Sequence, residues 1–169
     1  MKQDVQTILK VTPPWLHVFE GDLEQLLNKV NDFSQQIFIY MLDGKRMRTQ
    51  EEFYDELASE LNFPSYFGRN LNALDECITD LDWLSINGPI LLIIINAETL
   101  LVDAPIELFH GFVNLLENAG EEWSHCIETG EAWDRPGLPF NVVFQTGFDY
   151  IGKVNAKLNR CSVRLGKIK

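Results

Sequence analysis

The chain has 169 residues, a formal net charge of -11 and a sequence pI near 4.6. Its length and its 46% hydrophobic residues predict one domain with a sizeable core and some additions. The negative charge argues against direct binding of nucleic acid or of an anionic membrane, and it favours a basic protein as partner.

The three cysteines, Cys77, Cys126 and Cys161, are widely spaced and form neither a disulfide framework nor a Cys/His metal-ligand pattern. They predict reduced thiols and therefore a cytoplasmic protein. No apolar run typical of a signal peptide is present near the N-terminus, and the run at 90–95 is far shorter than the roughly 20 residues that cross a bilayer. We therefore expect a soluble, intracellular chain.

Residues 1–35 predict an N-terminal extension made of a short strand and a helix. The strand is predicted at WLHVF, residues 15–19, and Asp22 is placed to cap the helix. The predicted apolar face of that helix consists of Leu23, Leu26, Leu27 and Val30.

Three continuous apolar runs predict strands that are buried on both faces, as in a parallel sheet. They lie at residues 36–42, 89–95 and 140–145. Helical patterns separate the runs at 49–62, 70–81 and 105–119, the first opening with a capping box at Thr49 and the last ending before Gly120. Alternating strands and helices predict a small α/β domain over 36–146, with a mainly parallel three-stranded sheet.

Two segments fall outside these patterns. Residues 120–139 have no clean period and predict an acidic, tryptophan-bearing loop inserted in the domain. Residues 147–169 form a basic tail, which is compatible either with a strand added to the sheet edge or with a disordered end.

The predicted helix at 70–81 carries its charge where a helix tolerates it least. Asp75, Glu76, Asp80 and Asp82 crowd its second half and its end, and no Lys or Arg occurs between Arg69 and Arg135. Exposed acids at a helix C-terminus cost about 0.3 to 1 kcal/mol each. The simplest interpretation is an ordinary solvent-exposed helix face without a function. A surface kept electronegative in this way nevertheless favours a positively charged partner.

The stretch LASELNFPSYFGRNLNALDECITDLDW, residues 57–83, resembles the barstar family of ribonuclease inhibitors. The shared pattern is a helix, then Pro, an aromatic pair, Gly, Asn and a second helix with an acid before Cys, and the resemblance extends over about 36–119. It implies a barstar-like fold without catalytic residues, cofactor or metal. It also implies a partner, a basic ribonuclease of secreted or toxin type, whose active site the acidic helix blocks.

The resemblance further implies a partner-binding set that runs from the aromatic turn along the acidic helix. Tyr66 matches an aromatic that presses against the enzyme, and Glu76 matches the acid that enters its phosphate-binding site. Asn72 and Asp75 depart from the best-known member, which has an aspartate and a tryptophan there, and Glu76 is longer by one methylene. The implied set is Tyr66, Phe67, Gly68, Asn70, Asn72, Asp75, Glu76, Thr79, Asp80 and Trp83.

Two other interpretations stay open at this point. The same fold is also suited to a non-inhibitory interaction module that binds another basic protein. An enzyme is disfavoured because His17, His110 and His125 are scattered and no Gly-rich phosphate loop or GxSxG motif is present. We expect a monomer.

Overall fold

Five parallel strands form one sheet in the computed structural model, which describes residues 5–33 and 35–168. The strands are β1 (Leu16–Glu20), β2 (Phe38–Asp43), β3 (Ile90–Ile95), β4 (Phe140–Thr146) and β5 (Leu165–Ile168), in the spatial order β2-β3-β4-β1-β5. The predicted α/β class and parallel sheet are confirmed. The count of three strands is wrong, because β1 pairs with β4 and β5 pairs with β1, which extends the sheet by two strands.

Five α-helices connect the strands: α1 (Leu23–Asn31), α2 (Gln50–Glu60), α3 (Leu71–Asp80), α4 (Ile106–Ser124) and α5 (Ile151–Leu158). Helix α1 opens with a capping box at Asp22, and α2 opens with a capping box at Thr49, as predicted. Among the described helices, none has the length and apolar character needed to cross a bilayer.

The helices lie on the two faces of the sheet according to the direction in which the chain crosses it. The steps from β2 to β3, β4 and β5 run in one direction, and α2, α3, α4 and α5 pack on the same face. The step from β1 to β2 runs in the opposite direction, and α1 packs on the other face. Right-handed crossovers produce this division, because reversing the direction of the step reverses the face.

Both faces of the sheet are therefore buried, which explains the continuous apolar runs. In β3, Ile90, Leu92 and Ile94 belong to the larger core under α2 to α5. Leu91 and Ile93 of the same strand belong to a smaller core under α1 and the N-terminal residues. Alternate side chains of one strand thus enter two different cores.

Helix α4 continues to Ser124, so its predicted end before Gly120 is wrong. A Cβ atom at Gly120 would lie 2.4 Å from Cγ of Trp15. The glycine is thus required by the close approach of Trp15 to the helix, whereas the prediction took it as a stop signal. Residues 120–124 consequently belong to a helix, and the irregular segment begins after them.

The described part of the basic tail, residues 147–168, forms a helix and a strand in place of a disordered end. Helix α5 within it was missed by the prediction, although Ile151, Val154 and Leu158 have helical spacing. The last strand, β5, is the added edge strand that the sequence left as one alternative.

Lys157 in α5 attaches this helix to the rest of the chain. It donates a hydrogen bond to Leu100 O at 2.6 Å and lies 4.0 Å from the Phe109 ring centroid. Burial lowers the pKa of Lys157 to about 8.

A buried polar pair joins β1 to β4 beneath the smaller core. His17 Nε2 lies 2.9 Å from Asn141 Oδ1, and Asn141 Nδ2 donates to Ile8 O at 3.0 Å. Because the Asn141 oxygen accepts, His17 carries its proton on Nε2. Its Nδ1 is buried and has no hydrogen-bond partner in the part of the chain that the structure describes. Burial lowers the pKa of His17. The neutral imidazole is therefore the form that this fold accommodates.

Candidate partner-binding surface

The turn that precedes α3 is held in place by α2. The Arg69 guanidinium forms an ion pair with Asp55 at 2.7 Å and donates to Glu51 O at 3.3 Å. Inside the turn, the half-buried Phe67 ring packs edge-on against Phe63 and Tyr54. One basic and one aromatic contact thus fix the turn to the helix before it. Tyr66, which precedes Phe67 in the turn, is left 78% exposed.

Asn70 is the N-cap of α3, at the start of the predicted helix. Its Oδ1 accepts a hydrogen bond from Ala73 N at 2.9 Å, and its Nδ2 donates to Gly68 O at 3.1 Å. The residue with left-handed backbone is Arg69, with φ of 51°, and not Gly68. Gly68 instead permits a close approach, since a Cβ atom there would lie 3.1 Å from Asn70 Nδ2.

Helix α3 separates an apolar face from a polar one. Leu74, Cys77 and Ile78 are buried against the larger core. On the opposite side, Asn72, Glu76 and Asp80 are exposed, and Asp75 and Thr79 are half-buried between the two faces. The Thr79 hydroxyl donates to Asp75 O at 2.8 Å. We call Asn72, Asp75, Glu76, Thr79 and Asp80 the acidic face.

Helix α4 supports α3 from below at both ends. Near the start of α3, Leu71 lies against Gly111, where a Cβ atom would lie 2.4 Å from Leu71 Cδ1. Near its end, the Trp123 indole N–H donates to Ile78 O at 2.9 Å. That bond satisfies a carbonyl of the last helical turn, which has no partner within the helix. The supports leave α3 with a fixed position on the sheet.

Among the described residues, no Lys, Arg or His side chain forms an ion pair with a carboxylate of α3. The four ion pairs among the described residues are Arg46–Glu56, Arg48–Asp103, Arg69–Asp55 and His125–Glu121. None includes Asp75, Glu76, Asp80 or Asp82. Burial, and then the charge of Asp82, raise the pKa of the Asp80 carboxyl. The same negative field contributes to a raised pKa of the Cys77 thiol, after the larger effect of burial. An uncompensated negative field therefore surrounds the end of α3.

Trp83, which follows α3, is half-buried and forms part of the support. Its indole N–H donates to Leu61 O at 2.9 Å, and its ring meets Phe63 edge-on at 6.0 Å. The structure thus brings Tyr66 and the acidic face together on the surface, whereas Phe67 and Trp83 contact the chain beneath it.

Three residues of this region were not anticipated from the sequence. Asp55 holds Arg69, Trp123 binds the last turn of α3, and Arg135 lies 4.1 Å from the Trp123 ring centroid. Asp55 lies 14 residues before its partner and Trp123 lies 45 residues after Ile78. No local pattern signals such contacts. Within 5–33 and 35–168, no three His, Cys, Asp or Glu side chains are grouped to hold a metal ion.

The fold and the surface together define an α/β protein that displays a supported acidic helix next to an exposed tyrosine. The family model described as Barstar (barnase inhibitor) matches residues 37–145. The chain therefore belongs to the barstar family, which confirms the resemblance seen at residues 57–83.

A curated relative with a similar sequence is the "Putative ribonuclease inhibitor YrdF" of Bacillus subtilis. It is 38% identical over 58 residues, which is 34% of this chain and 59% of the relative. The match therefore spans less than two thirds of that protein.

Two solved structures share the fold over nearly the whole chain. Cdc6p from Pyrobaculum aerophilum aligns with a TM-score of 0.52 at 17% identity, covering 95% of this chain and 40% of that one. The Aeropyrum pernix ORC2 protein in its ADP form aligns with a TM-score of 0.55 at 8% identity, covering 99% and 44%. At such identities the likeness concerns the fold alone.

Proposed function

We propose that this chain inhibits a ribonuclease by covering its basic active site with the acidic face of α3 and with Tyr66. The observation that carries the proposal is the set of carboxylates on α3 that form no ion pair within residues 5–33 and 35–168. Membership of the barstar family and the similarity to a protein named as a ribonuclease inhibitor support it.

The chemistry of the target explains why such a surface inhibits. A ribonuclease places cations around the phosphate that it cleaves, and carboxylates on a fixed helix can occupy those sites in place of RNA. Because the raised pKa of Asp80 reflects burial and repulsion by Asp82, a cation from the partner relieves the repulsive part. The negative field also speeds the encounter with a basic enzyme.

Target specificity is proposed to depend on Asn72 and Glu76. Both are exposed on the acidic face, one helical turn apart. Asn72 offers an amide where a family member has a carboxylate, and Glu76 reaches further than an aspartate. The matching nuclease therefore presents a polar group opposite Asn72 and a deeper cationic site opposite Glu76.

The partner class that fits is a basic ribonuclease of secreted or toxin type, met in the cytoplasm by a monomeric inhibitor. The three cysteines are free thiols, in keeping with a reducing compartment. A non-inhibitory module of the same fold would bind a basic protein through this face without changing RNA cleavage.

The direct test is an RNA-cleavage assay with barnase and a panel of basic bacterial ribonucleases. We expect loss of cleavage at a one-to-one molar ratio for at least one enzyme, with an association rate that falls as salt rises. Binding to these enzymes without loss of cleavage would favour the module, and no binding to any of them would refute the proposal.

A further inference from the structure

The segment that follows α4 forms an ordered hairpin where the sequence predicts an irregular loop. Ile127 and Arg135 exchange two backbone hydrogen bonds, of 2.8 and 3.1 Å. Near the tip, the Asp134 carboxylate accepts from Thr129 N, Thr129 Oγ1 and Gly130 N at 2.7 to 2.9 Å. These bonds, first that from the Thr129 hydroxyl, lower the pKa of Asp134. We call this segment the 127–135 hairpin.

The base of the 127–135 hairpin is attached to the end of the acidic helix. The Arg135 guanidinium lies over the Trp123 ring and donates to Trp123 O at 3.2 Å and to His125 O at 3.1 Å. Trp123 in turn donates to Ile78 O in the last turn of α3. Two successive contacts therefore connect the hairpin to the part of α3 that carries the uncompensated charge.

The tip of the hairpin presents an apolar ring among acids. Trp133 is 63% exposed, and Glu128 and Glu131 near it are exposed and in none of the ion pairs of the described residues. A single exposed apolar side chain is ordinary. An exposed tryptophan on a hydrogen-bonded hairpin, next to an unpaired acidic surface, has the composition of a binding hot spot with a charged rim.

We propose that the 127–135 hairpin is a second arm of the partner-binding surface, with Trp133 as its apolar anchor on the same basic ribonuclease. This inference rests on the proposed function. Glu128 and Glu131 carry charge of the same sign as the acidic face, so one basic partner complements both.

The length of α3 suits a single partner that contacts Tyr66, the acidic face and the base of the hairpin. Tyr66 precedes the start of α3, and the hairpin is attached to its end. A helix of 10 residues is about 15 Å long. A standard interface buries about 800 Å² on each partner, which corresponds to a patch roughly 28 Å across. Tyr66, the acidic face and the base of the hairpin therefore fit within one interface of ordinary size.

The test compares two aromatic residues of nearly equal exposure. Trp133→Ala removes the proposed anchor, and Phe148→Ala serves as control. Phe148 is 62% exposed and follows the C-terminal end of β4, whereas the hairpin precedes its N-terminal end. The two residues therefore lie toward opposite ends of this strand. Association and dissociation rates are measured by surface plasmon resonance against barnase and the panel of basic bacterial ribonucleases. Thermal unfolding checks that both variants fold.

We expect Trp133→Ala to raise the dissociation rate roughly tenfold or more, with little change in the association rate. Phe148→Ala should match the parent. If Trp133→Ala dissociates as slowly as the parent and the control, the hairpin is not an arm, while inhibition through α3 is unaffected. If the parent binds none of the enzymes, both the proposed function and this inference are overturned.

Discussion

Asp80 provides a perturbation in which stability and binding are expected to change in opposite directions. It is the last residue of α3, and its carboxylate has no hydrogen bond or ion pair among the described residues. Asp80→Asn keeps the shape of the side chain and removes its charge. We expect the variant to be more stable than the parent at pH 7 and to inhibit more weakly.

The size of the effect follows from the position of the charge. An exposed acid at a helix C-terminus costs about 0.3 to 1 kcal/mol, so the variant should gain that much in free energy of unfolding. For a chain of this length the gain corresponds to a rise in Tm of roughly 1 to 4 °C. Glu51→Gln is the matched control, because Glu51 lies in the first turn of α2, where an acid is favourable. Its loss should lower the stability by a few tenths of a kcal/mol.

Urea unfolding at several pH values measures the stability of both variants, and the RNA-cleavage assay measures the weaker inhibition by Asp80→Asn. The pKa of Asp80 is raised in the folded chain, so the fold binds this proton more tightly than the unfolded chain does. The destabilisation is therefore absent below the unfolded pKa and develops as the pH rises through the folded pKa. The advantage of Asp80→Asn should therefore vanish as the pH falls below the ordinary aspartate pKa of 3.8. If Asp80→Asn is no more stable than the parent at pH 7, the claim that the charge of Asp80 destabilises the end of α3 is refuted.

Two further predictions concern the core. His17 should make the free energy of unfolding fall as the pH drops below about 6.5, because its pKa is lowered in the fold and only the unfolded chain takes up the proton. In urea titrations between pH 5 and 8, His17→Gln should reduce the dependence of the free energy of unfolding on pH. An unchanged dependence would contradict the assignment of this effect to His17. Gly120→Ala should lower the free energy of unfolding by about 1 to 3 kcal/mol, because the added methyl group overlaps Trp15. Gly152→Ala in α5, where the added methyl group meets open space, should raise it by about 0.4 to 1 kcal/mol. Thermal unfolding measures both variants, and equal effects would contradict the role of Trp15 packing at Gly120.

The parts of this fold that local chemistry determines could be predicted from the sequence. Asn70 caps α3 through its own side chain, and Leu74 and Ile78 face the core at helical spacing. The continuous apolar run of β3 indicated burial on both faces, and the structure shows it. Each of these features depends on residues within a few positions of one another.

Features that depend on distant partners could not be predicted in this way. The sequence around Gly120 is that of a helix end, and only the packing of Trp15 against it explains why the helix continues. Likewise, Arg135 is remote from α3 in sequence, yet it stacks on the tryptophan that binds the last turn of that helix. The strand count failed for the same reason, since the pairing of β1 with β4 joins segments from opposite ends of the chain.

The central claim is tested most directly by the inhibition constant of Glu76→Lys against a ribonuclease that the parent inhibits. Glu24→Lys, the same charge reversal at an exposed position of α1 on the other face of the sheet, is its control. Both side chains are exposed, so both variants should fold. We predict that Glu76→Lys no longer inhibits and that Glu24→Lys inhibits like the parent. Equal inhibition by the two variants would contradict the claim that the acidic face of α3 blocks the enzyme.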